Sequence, residues 1–413
     1  MKVNKYQIKI ESVVYGGSGL GRREDGKIVF VKGVLPGEVV IVEEKKEKND
    51  FIKAKLIKVL SPSPERIESN CLIPVGYDGI GNACYAKTPG CVYQEFSYKE
   101  ELRVKNEQFA DFMGDEVKIL PHIPAPKQLN YRNKIVFHVT DDHGDISLGY
   151  NEEQGHEVID MESCPLAHPA INDKLRELRM NPGFKKTIRE GMSFTLRFTQ
   201  NDGVLHWRNS PPSNASWLKE QTPVGTLSVP PGSFFQVNPD VSDILVEKVK
   251  TIIENSGCTS LVDLYCGCGL FSITALSAGL KNVTGLDNDK ASIKAAEFNA
   301  SGNKEAEADF IAGDADKLFQ EVLERHKQKT NGTLQNSILL ADPPRSGLGR
   351  KIKYFLKDEN FGEIIYVSCA PDTLKRDILS LKRAGYNIKS AQMLDMFPRT
   401  AHFESLVHFT REG

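Results

Sequence analysis

The chain has 413 residues, which is longer than one ordinary domain and predicts two or three. Its hydrophobic fraction of 40% and charged fraction of 26% are typical of a globular protein, and no apolar run approaches the roughly 20 residues of a membrane-spanning helix. The net charge of −2 is unevenly distributed, because residues 1–60 carry 13 Lys and Arg against 8 Asp and Glu. Since the first residues also lack the apolar core of a secretion signal, we expect a cytoplasmic protein with no membrane partner.

The N-terminal segment contains short apolar runs separated by turn signals. Val13–Tyr15 precedes a glycine-rich turn, and Ile28–Val31 follows an Asp-Gly pair that is typical of a β-hairpin. Two further runs, Val39–Val42 and Ile52–Val59, flank a charged segment. These runs predict a small five-stranded barrel of the OB type, and a Ser-Pro-Ser-Pro linker places it in a first domain, residues 1–62.

A second region is predicted over residues 63–235. Three cysteines lie in a loop-like stretch near its beginning, and a helical segment follows at 95–115. Alternating apolar and polar residues then indicate strands such as Lys134–Val139 and Ser147–Tyr150. We therefore expect a central β-rich region.

From residue 236 to residue 413 helices and strands alternate. Asn238 can cap a helix with Pro239 at its first position, and apolar residues then recur at helical spacing until Gly257. The elements expected after it are Ser260–Leu264, Asn282–Leu286, Lys290–Ser301, Ser337–Ala341 and Glu363–Ser368. This order predicts a doubly wound parallel sheet. The fold class is therefore α/β, a Rossmann-like domain preceded by an OB-like barrel and a central β-rich region.

A glycine-rich turn follows the first strand of this sheet, with the sequence Val-Asp-Leu-Tyr-Cys-Gly-Cys-Gly from Val262. Asp287 ends the next strand, 24 residues after Asp263, and a carboxylate near that spacing commonly accepts hydrogen bonds from ribose hydroxyls. The turn lacks a GxGxxG arrangement, and the acidic Asp263 repels phosphates. The pattern therefore favours a cationic ligand such as S-adenosylmethionine, with ordinary turn glycines as the alternative.

Two other strand ends carry reactive side chains. Asp342 begins an Asp-Pro-Pro-Arg sequence, and Cys369 closes a later strand. Both positions belong to the edge at which open α/β sheets bind ligands. Cys369 lies just before a helix that begins at Pro371, and the helix dipole is expected to stabilise its thiolate. A small buried thiol is the alternative interpretation of a lone cysteine.

Four motifs in this order, DLYCGCG, ADPPRSG, VSCAPDTLKRD and FPRTAHFESLV, resemble those of the bacterial RNA 5-methyluridine methyltransferases. The resemblance runs the length of the chain, and residues 5–60 look like the TRAM domain, an RNA-binding barrel. It implies Cys369 as the nucleophile that adds to carbon 6 of uracil and Glu404 as the base that removes the carbon-5 proton. The residues implied to contact S-adenosylmethionine are Gln236, Tyr265, Asp287, Asp314 and Asp342.

Four cysteines resemble the ligands of a [4Fe–4S] cluster in this family, namely Cys71, Cys84, Cys91 and Cys164. The spacing of the first three, C-x12-C-x6-C, is longer than the spacing usual in the family. Zinc also suits four cysteines, and scattered structural thiols are a third interpretation.

The resemblance implies an RNA substrate, with 23S ribosomal RNA favoured and tRNA as the alternative, and we expect a monomer. Methylation of cytosine is disfavoured because the Asp-Pro-Pro-Arg motif lacks a cysteine. A radical tRNA-modifying enzyme would need a C-x3-C-x2-C triad that the sequence lacks. A non-catalytic RNA-binding module conflicts with the presence of both Cys369 and Glu404, and a small-molecule methyltransferase conflicts with the barrel.

Overall fold

The structure, a computed structural model, describes residues 4–69, 71–77, 83–87, 90–114, 117–142, 145–151, 158–303 and 305–411. Within these residues, no helix combines the length and the apolar character needed to cross a membrane.

The N-terminal residues form a closed barrel of five strands. Apolar side chains at alternate strand positions, among them Ile10, Val29 and Val42, point inward and are buried, which is the pattern that closes a small barrel. The spatial order is β1-β2-β3-β5-β4, with β3 and β5 parallel. The predicted barrel is therefore confirmed. Its strands are β1 (Lys5–Val14), β2 (Ser18–Arg22), β3 (Ile28–Lys32), β4 (Val39–Glu47) and β5 (Phe51–Ser61).

The central region contains a hairpin, a long helix, a five-stranded sheet with two helices and a second hairpin. The sheet has the order β10-β9-β8-β11-β12. Helix α2 packs on it through Ile171 and Leu175, and the sequence analysis did not predict this helix. The elements are β6 (Leu72–Tyr77), β7 (Ala83–Lys87), α1 (Tyr98–Met113), β8 (Lys134–Asp142), β9 (Asp145–Asn151), β10 (Val158–Asp160), α2 (Pro169–Met180), α3 (Pro182–Lys185), β11 (Ser193–Thr199), β12 (Gly203–Arg208), β13 (Leu218–Thr222) and β14 (Gly225–Val229).

The C-terminal residues form a seven-stranded sheet covered by helices on both faces. Its order is β17-β16-β15-β18-β19-β21-β20, and β21 runs antiparallel to both of its neighbours. The expected doubly wound sheet is present, with this antiparallel strand added. The elements are α4 (Pro239–Glu254), β15 (Ser260–Leu264), α5 (Leu270–Ser277), β16 (Asn282–Asp287), α6 (Lys290–Ala300), β17 (Glu307–Ala312), α7 (Ala315–Lys329), β18 (Ser337–Ala341), α8 (Arg350–Phe355), β19 (Glu363–Ser368), α9 (Pro371–Arg383), β20 (Tyr386–Leu394) and β21 (Glu404–Arg411).

The barrel is docked against the rest of the molecule at the turn between β1 and β2. The buried Gln108 of α1 donates from Nε2 to the carbonyl oxygen of Val13 over 2.8 Å. Gly17 has a φ of 81°, and a Cβ added there would lie 2.5 Å from Cγ2 of Val92. Only glycine allows the two chain segments to approach this closely. The turn is therefore held at a defined place beside α1 and Val92.

Candidate active site

The glycine turn after β15 is braced by the carboxylate that ends β16. The backbone N–H of Gly267 donates to Oδ2 of Asp287 over 2.9 Å, and the N–H of Asp289 donates to Oδ1 over 2.8 Å. Tyr265, at the start of the turn, has a φ of 64°, a strained value for a residue with a side chain. A Cβ built on Gly267 would meet no described atom within 4 Å, so the backbone of the turn faces open space.

Asp263 lies beneath this turn with its side chain fully buried. Its Oδ2 accepts a hydrogen bond from Ser272 Oγ at 2.6 Å, whereas Oδ1 has no partner among the described residues. Burial raises the pKa of Asp263 to about 7, Ser272 opposes the rise, and the charges of Asp342 and Asp287 add to it. An unpartnered buried carboxylate oxygen beside an open glycine backbone fits a cationic ligand such as S-adenosylmethionine.

Three of the five residues expected to contact the cofactor lie at one edge of the sheet. Tyr265, Asp287 and Asp342 directly follow or end β15, β16 and β18. Burial raises the pKa of Tyr265 to about 12, and a backbone hydrogen bond from Gly349 opposes this rise.

The other two expected cofactor contacts lie at helix starts. Asp314 is exposed and caps α7 by accepting from the backbone N–H of Lys317 over 3.0 Å. Gln236 is buried just before α4, and its carbonyl oxygen accepts from Nδ2 of Asn133 at 3.1 Å. Ser233, three residues earlier, donates from Oγ to Asp289 over 2.7 Å, so this segment borders the glycine turn. The contacts of all five residues with a cofactor stay a prediction.

Cys369 and Glu404 face each other across two neighbouring antiparallel strands. Ser368, the last residue of β19, pairs with Ser405 of β21, so Cys369 and Glu404 are opposed one position further along. Cys369 is half-buried, and Glu404 is only 3% exposed. Oε1 of Glu404 is buried and has no hydrogen-bond partner within the described chain.

The pKa values of this pocket are shifted by burial and by neighbouring charge. Burial raises the pKa of Asp342 to about 7, and burial followed by the charge of Asp342 raises the pKa of Glu404 well above its usual range. The pKa of Cys369 is raised to about 11 by burial, then by Glu404 and Asp342, while a contact with Arg345 opposes the rise. The expectation of a stabilised thiolate at the start of α9 is therefore wrong, because burial and two carboxyl groups raise the pKa of Cys369 more than Arg345 lowers it.

Two further side chains reach this pocket. His402 lies 3.4 Å from Arg345 Nη2 through its Nε2 and 3.0 Å from the hydroxyl of Tyr15 through its Nδ1. His402 stands two residues before Glu404 in the sequence, which is a signal that the sequence analysis did not use. Tyr15 comes from the barrel, and no local pattern in the sequence indicates its place here.

A buried charge network orders the loop that leads into β21. Nζ of Lys105 donates to Glu101 Oε1 and to Asp395 Oδ1, both at 2.7 Å, and all three side chains are fully buried. Arg399, which has a φ of 69°, donates its backbone N–H to the same Glu101 oxygen over 2.6 Å. Since this loop ends just before Glu404, the network fixes where the carboxyl group lies.

Three of the four predicted cluster ligands are buried near one another. Cys71 and Cys91 line a small pocket together with Arg399, and the thiol of Cys164 lies 3.7 Å from the hydroxyl of Tyr150. Burial, followed by the charges of Cys164 and Cys71, raises the pKa of Cys91.

The fourth predicted ligand, Cys84, has a side chain that lies outside the described residues. Across the described part of the chain, no group of three or more His, Cys, Asp or Glu side chains is placed to hold a metal ion. The cluster therefore stays a prediction.

The seven-stranded sheet and the glycine turn after β15 define an S-adenosylmethionine-dependent methyltransferase. The family model described as tRNA (uracil-5-)-methyltransferase matches residues 226–412, and the TRAM domain model matches residues 1–57. The chain carries a tRNA (uracil-5-)-methyltransferase family domain over residues 226–412 and a TRAM domain at its N-terminus. It is an RNA methyltransferase that uses S-adenosylmethionine.

Relatives and a solved structure extend over the whole chain. An uncharacterized RNA methyltransferase of Aquifex aeolicus is 29% identical, over 98% of each chain. Another from Thermosynechococcus vestitus is 27% identical, over 98% of this chain and 97% of its own. The crystal structure of Pyrococcus abyssi tRNA (uracil-54, C5)-methyltransferase with S-adenosyl-L-homocysteine matches with a TM-score of 0.73 at 23% identity, over 98% of this chain and 100% of that one. The last comparison establishes a shared fold.

Proposed function

We propose that this enzyme methylates carbon 5 of a uridine in 23S ribosomal RNA, with Cys369 as nucleophile and Glu404 as general base. The observation that carries the proposal is the opposition of these two side chains at the ends of β19 and β21. A half-buried thiol and a buried carboxyl with a free acceptor oxygen meet there, beside the edge that carries the cofactor turn.

The residue types fit a balanced sequence of steps. The thiolate of Cys369 forms a C–S bond to carbon 6 of uracil, and the displaced electron pair makes carbon 5 nucleophilic. Carbon 5 then bonds to the methyl carbon that S-adenosylmethionine would supply, the bond from that carbon to the sulfonium sulfur breaks, and S-adenosylhomocysteine leaves. Glu404 then takes the proton from carbon 5, the electron pair restores the double bond, and the thiolate leaves. The raised pKa of Glu404 makes it a stronger base than an exposed carboxylate.

Arg345 and Asp342 complete the pocket in this proposal. The contact of Arg345 with the thiol opposes the effect of burial on the pKa of Cys369, so it favours the reactive thiolate. Asp287 is proposed to accept hydrogen bonds from the ribose hydroxyls of the cofactor, which the position of its oxygens at the base of the glycine turn supports. Gln236, Tyr265, Asp314 and Asp342 are proposed as the remaining cofactor contacts.

The barrel offers a groove suited to an RNA strand, lined by aromatic and basic side chains. The rings of Phe30 and Phe51 meet edge to face with centroids 5.6 Å apart, and Lys53 and Lys55 line the same groove. Burial, followed by the nearby charge of Lys53, lowers the pKa of Lys32, so two lysines lie close together in this groove. Aromatic rings beside basic groups are typical of single-strand binding. We propose that this groove contacts RNA next to the target uridine.

Transfer RNA is a second candidate substrate. The observation that favours it is the full-length likeness to the Pyrococcus abyssi enzyme, whose substrate is tRNA uridine 54. Both substrates demand the same chemistry, because in each the base must leave its stack to reach the thiol.

One experiment separates these possibilities. The purified enzyme is incubated with S-adenosylmethionine labelled in its methyl group and with unmodified 23S ribosomal RNA or bulk tRNA, and the labelled nucleoside is identified after digestion. We expect label in 5-methyluridine from ribosomal RNA, and none with the Cys369→Ala variant. Label in 5-methyluridine from tRNA alone would transfer the proposal to tRNA, and label in 5-methylcytidine would overturn the assigned chemistry.

We also propose that Cys71, Cys84, Cys91 and Cys164 bind a [4Fe–4S] cluster. Two thiols on one buried pocket and a third close to them support this, since such a cluster requires thiolate ligands shielded from water. Iron, sulfide and zinc are measured in enzyme purified without oxygen. Four irons per chain that are lost in the Cys91→Ser variant would support the proposal, stoichiometric zinc would replace it, and a metal-free, stably folded enzyme would contradict it.

The remaining expectations concern organisation. We propose three units, residues 1–62, 63–235 and 236–413, which is supported by the end of the last barrel strand at Ser61, by a hydrophobic core within the barrel and by another within the central region. We propose a monomer in solution, which light scattering during gel filtration tests by measuring a mass near 46.0 kDa or a multiple of it. A cytoplasmic location stays a prediction.

A further inference from the structure

A tyrosine of the barrel lies inside the catalytic pocket. Tyr15, in the turn between β1 and β2, packs its ring edge to face against Phe112 and Phe403, with centroids 5.6 and 5.8 Å away. Its hydroxyl oxygen lies 3.0 Å from Nδ1 of His402. Because Gly17 and Gln108 fix this turn, the position of the hydroxyl is defined by the docking of the barrel.

The chemistry of the neighbours fixes the direction of the hydrogen bonds. A guanidinium can only donate, so Arg345 Nη2 donates to Nε2 of His402 over 3.4 Å. Burial, followed by the positive charges of Arg345, Lys105 and Arg132, lowers the pKa of His402 to about 4, so the ring is neutral near pH 7. With Nε2 accepting, Nδ1 carries the proton and donates it to the oxygen of Tyr15.

Arg345 is the member of this hydrogen-bonded series that contacts Cys369, the proposed nucleophile. Its side chain is exposed apart from its contacts with His402 and with the thiol of Cys369. A long exposed side chain loses considerable rotamer freedom when it is held in one geometry. The Tyr15–His402 pair supplies a neutral, rigid acceptor at the position that keeps the guanidinium beside the thiol.

We propose that Tyr15 is a positioning residue for methyl transfer, which acts through His402 to hold Arg345 against Cys369. The barrel then does more than bind RNA, because it supplies part of the support of the active site. This inference rests on the proposed role of Cys369 as nucleophile, but its first test needs neither RNA nor methyl transfer.

The first test compares the reactivity of Cys369 in the intact enzyme and in the Tyr15→Phe variant. Phenylalanine keeps the ring packing and removes only the oxygen. Alkylation by iodoacetamide is followed across pH in the tryptic peptide 358–375, in which Cys369 is the only cysteine. The charged groups that face this thiol are Glu404, Asp342 and Arg345, so a displaced Arg345 leaves the two carboxyl groups unopposed.

We expect the alkylation profile of Tyr15→Phe to move to higher pH by about half to one unit, which is about a three- to tenfold slower reaction at a fixed pH below the thiol pKa. The matched control is Tyr6→Phe, which removes a hydroxyl from β1, the strand that leads into the turn of Tyr15, and should leave the profile unchanged. An unchanged profile in Tyr15→Phe, with an unchanged thermal midpoint, would overturn the proposal.

The second test separates positioning from RNA binding. In single-turnover methyl transfer at saturating RNA, Tyr15→Phe should be slower while its RNA dissociation constant stays at the wild-type value. The His402→Asn variant should also be slower. The double variant should be no slower than the slower single variant, because both changes break the same series of hydrogen bonds between Tyr15 and Arg345. Additive losses, or weaker RNA binding with a wild-type single-turnover rate, would show that Tyr15 does not act through His402. If the wild-type enzyme methylates no RNA, the proposed function fails and the alkylation profile still decides the structural link.

Discussion

Glu404 combines two properties that a base in this reaction requires, burial and an unpartnered acceptor oxygen. Replacing it by glutamine keeps the shape of the side chain and removes its ability to take a proton. We expect Glu404→Gln to lower the rate at which methylated RNA is released by about 10²- to 10⁴-fold. Because the carbon-5 proton then stays in place, the bond between Cys369 and the RNA should persist. A denaturing gel measures this adduct.

The control for this experiment is the Cys369→Ala, Glu404→Gln double variant, which should form no adduct. If the single variant turns over at the wild-type rate, Glu404 is not the base. An adduct that also appears in the double variant would place the covalent bond on another residue.

Asp263 gives a prediction about stability. Its pKa is about 7 in the folded chain against an ordinary value of 3.8, so it favours folding fully below about pH 4 and loses this contribution as pH rises through 7. Asp263→Asn should therefore flatten the pH dependence of the unfolding free energy over this range, by at most about 4 kcal/mol. Asp342 and Glu101 titrate in the same range, so the difference between variant and parent is the quantity to measure, from urea midpoints.

The exposed carboxylate Asp314 supplies the control for Asp263. Asp314→Asn removes one negative charge at the start of α7 without removing a buried acid. An equal flattening in both variants would show that the net charge of the protein, and not the burial of Asp263, sets the pH dependence.

At the scale of elements, the β1–β2 turn of the barrel lies so close to Val92 that a side chain added at Gly17 would clash with it. Gly17→Ala places a methyl group 2.5 Å from Val92 at a φ of 81°. We expect it to destabilise the enzyme by about 1–3 kcal/mol and to raise protease sensitivity at the barrel. Gly26→Ala is the matched control, because its φ of 85° imposes the same backbone strain while its Cβ would meet no described atom within 4 Å. Equal losses of thermal stability in both would show that strain alone is responsible.

Short sequence patterns such as an apolar run or a helix cap predicted several strands and helices correctly. The strand Ser260–Leu264 has the predicted bounds, and the helix expected after Asn238 is α4, which ends three residues before Gly257. Helix α2 was missed although Ile171, Leu175 and Leu178 recur at helical spacing, because the neighbouring strands dominated the interpretation of that region.

The candidate site was predictable only in part, because its residues are brought together by contacts between distant parts of the sequence. Cys369 and Glu404 were found through motifs, but their opposition depends on the register that pairs Ser368 with Ser405, and no local pattern encodes it. The raised pKa of Cys369 follows from the carboxyl groups that the fold brings around it. Tyr15 could not be placed at all, since 387 residues separate it from His402.

At the scale of the whole molecule, the net charge of −2 conceals a basic barrel groove that should govern RNA affinity. If Lys53 and Lys55 contact phosphates, replacing both by alanine weakens binding and reduces the slope of log affinity against log salt by about one per lost contact. The rate of methyl transfer at saturating RNA should change little, because neither lysine belongs to the catalytic pocket. Filter binding across salt concentrations and single-turnover kinetics measure the two effects.

Lys58→Ala is the matched control for the groove lysines. It removes an exposed lysine from the same strand, β5, at a position outside the residues that line the groove. Its salt slope should equal that of the wild-type enzyme. If the double variant keeps the wild-type slope, or if Lys58→Ala changes it equally, the groove is not the path of the RNA. In that case the barrel contributes to catalysis through its docking and Tyr15 alone.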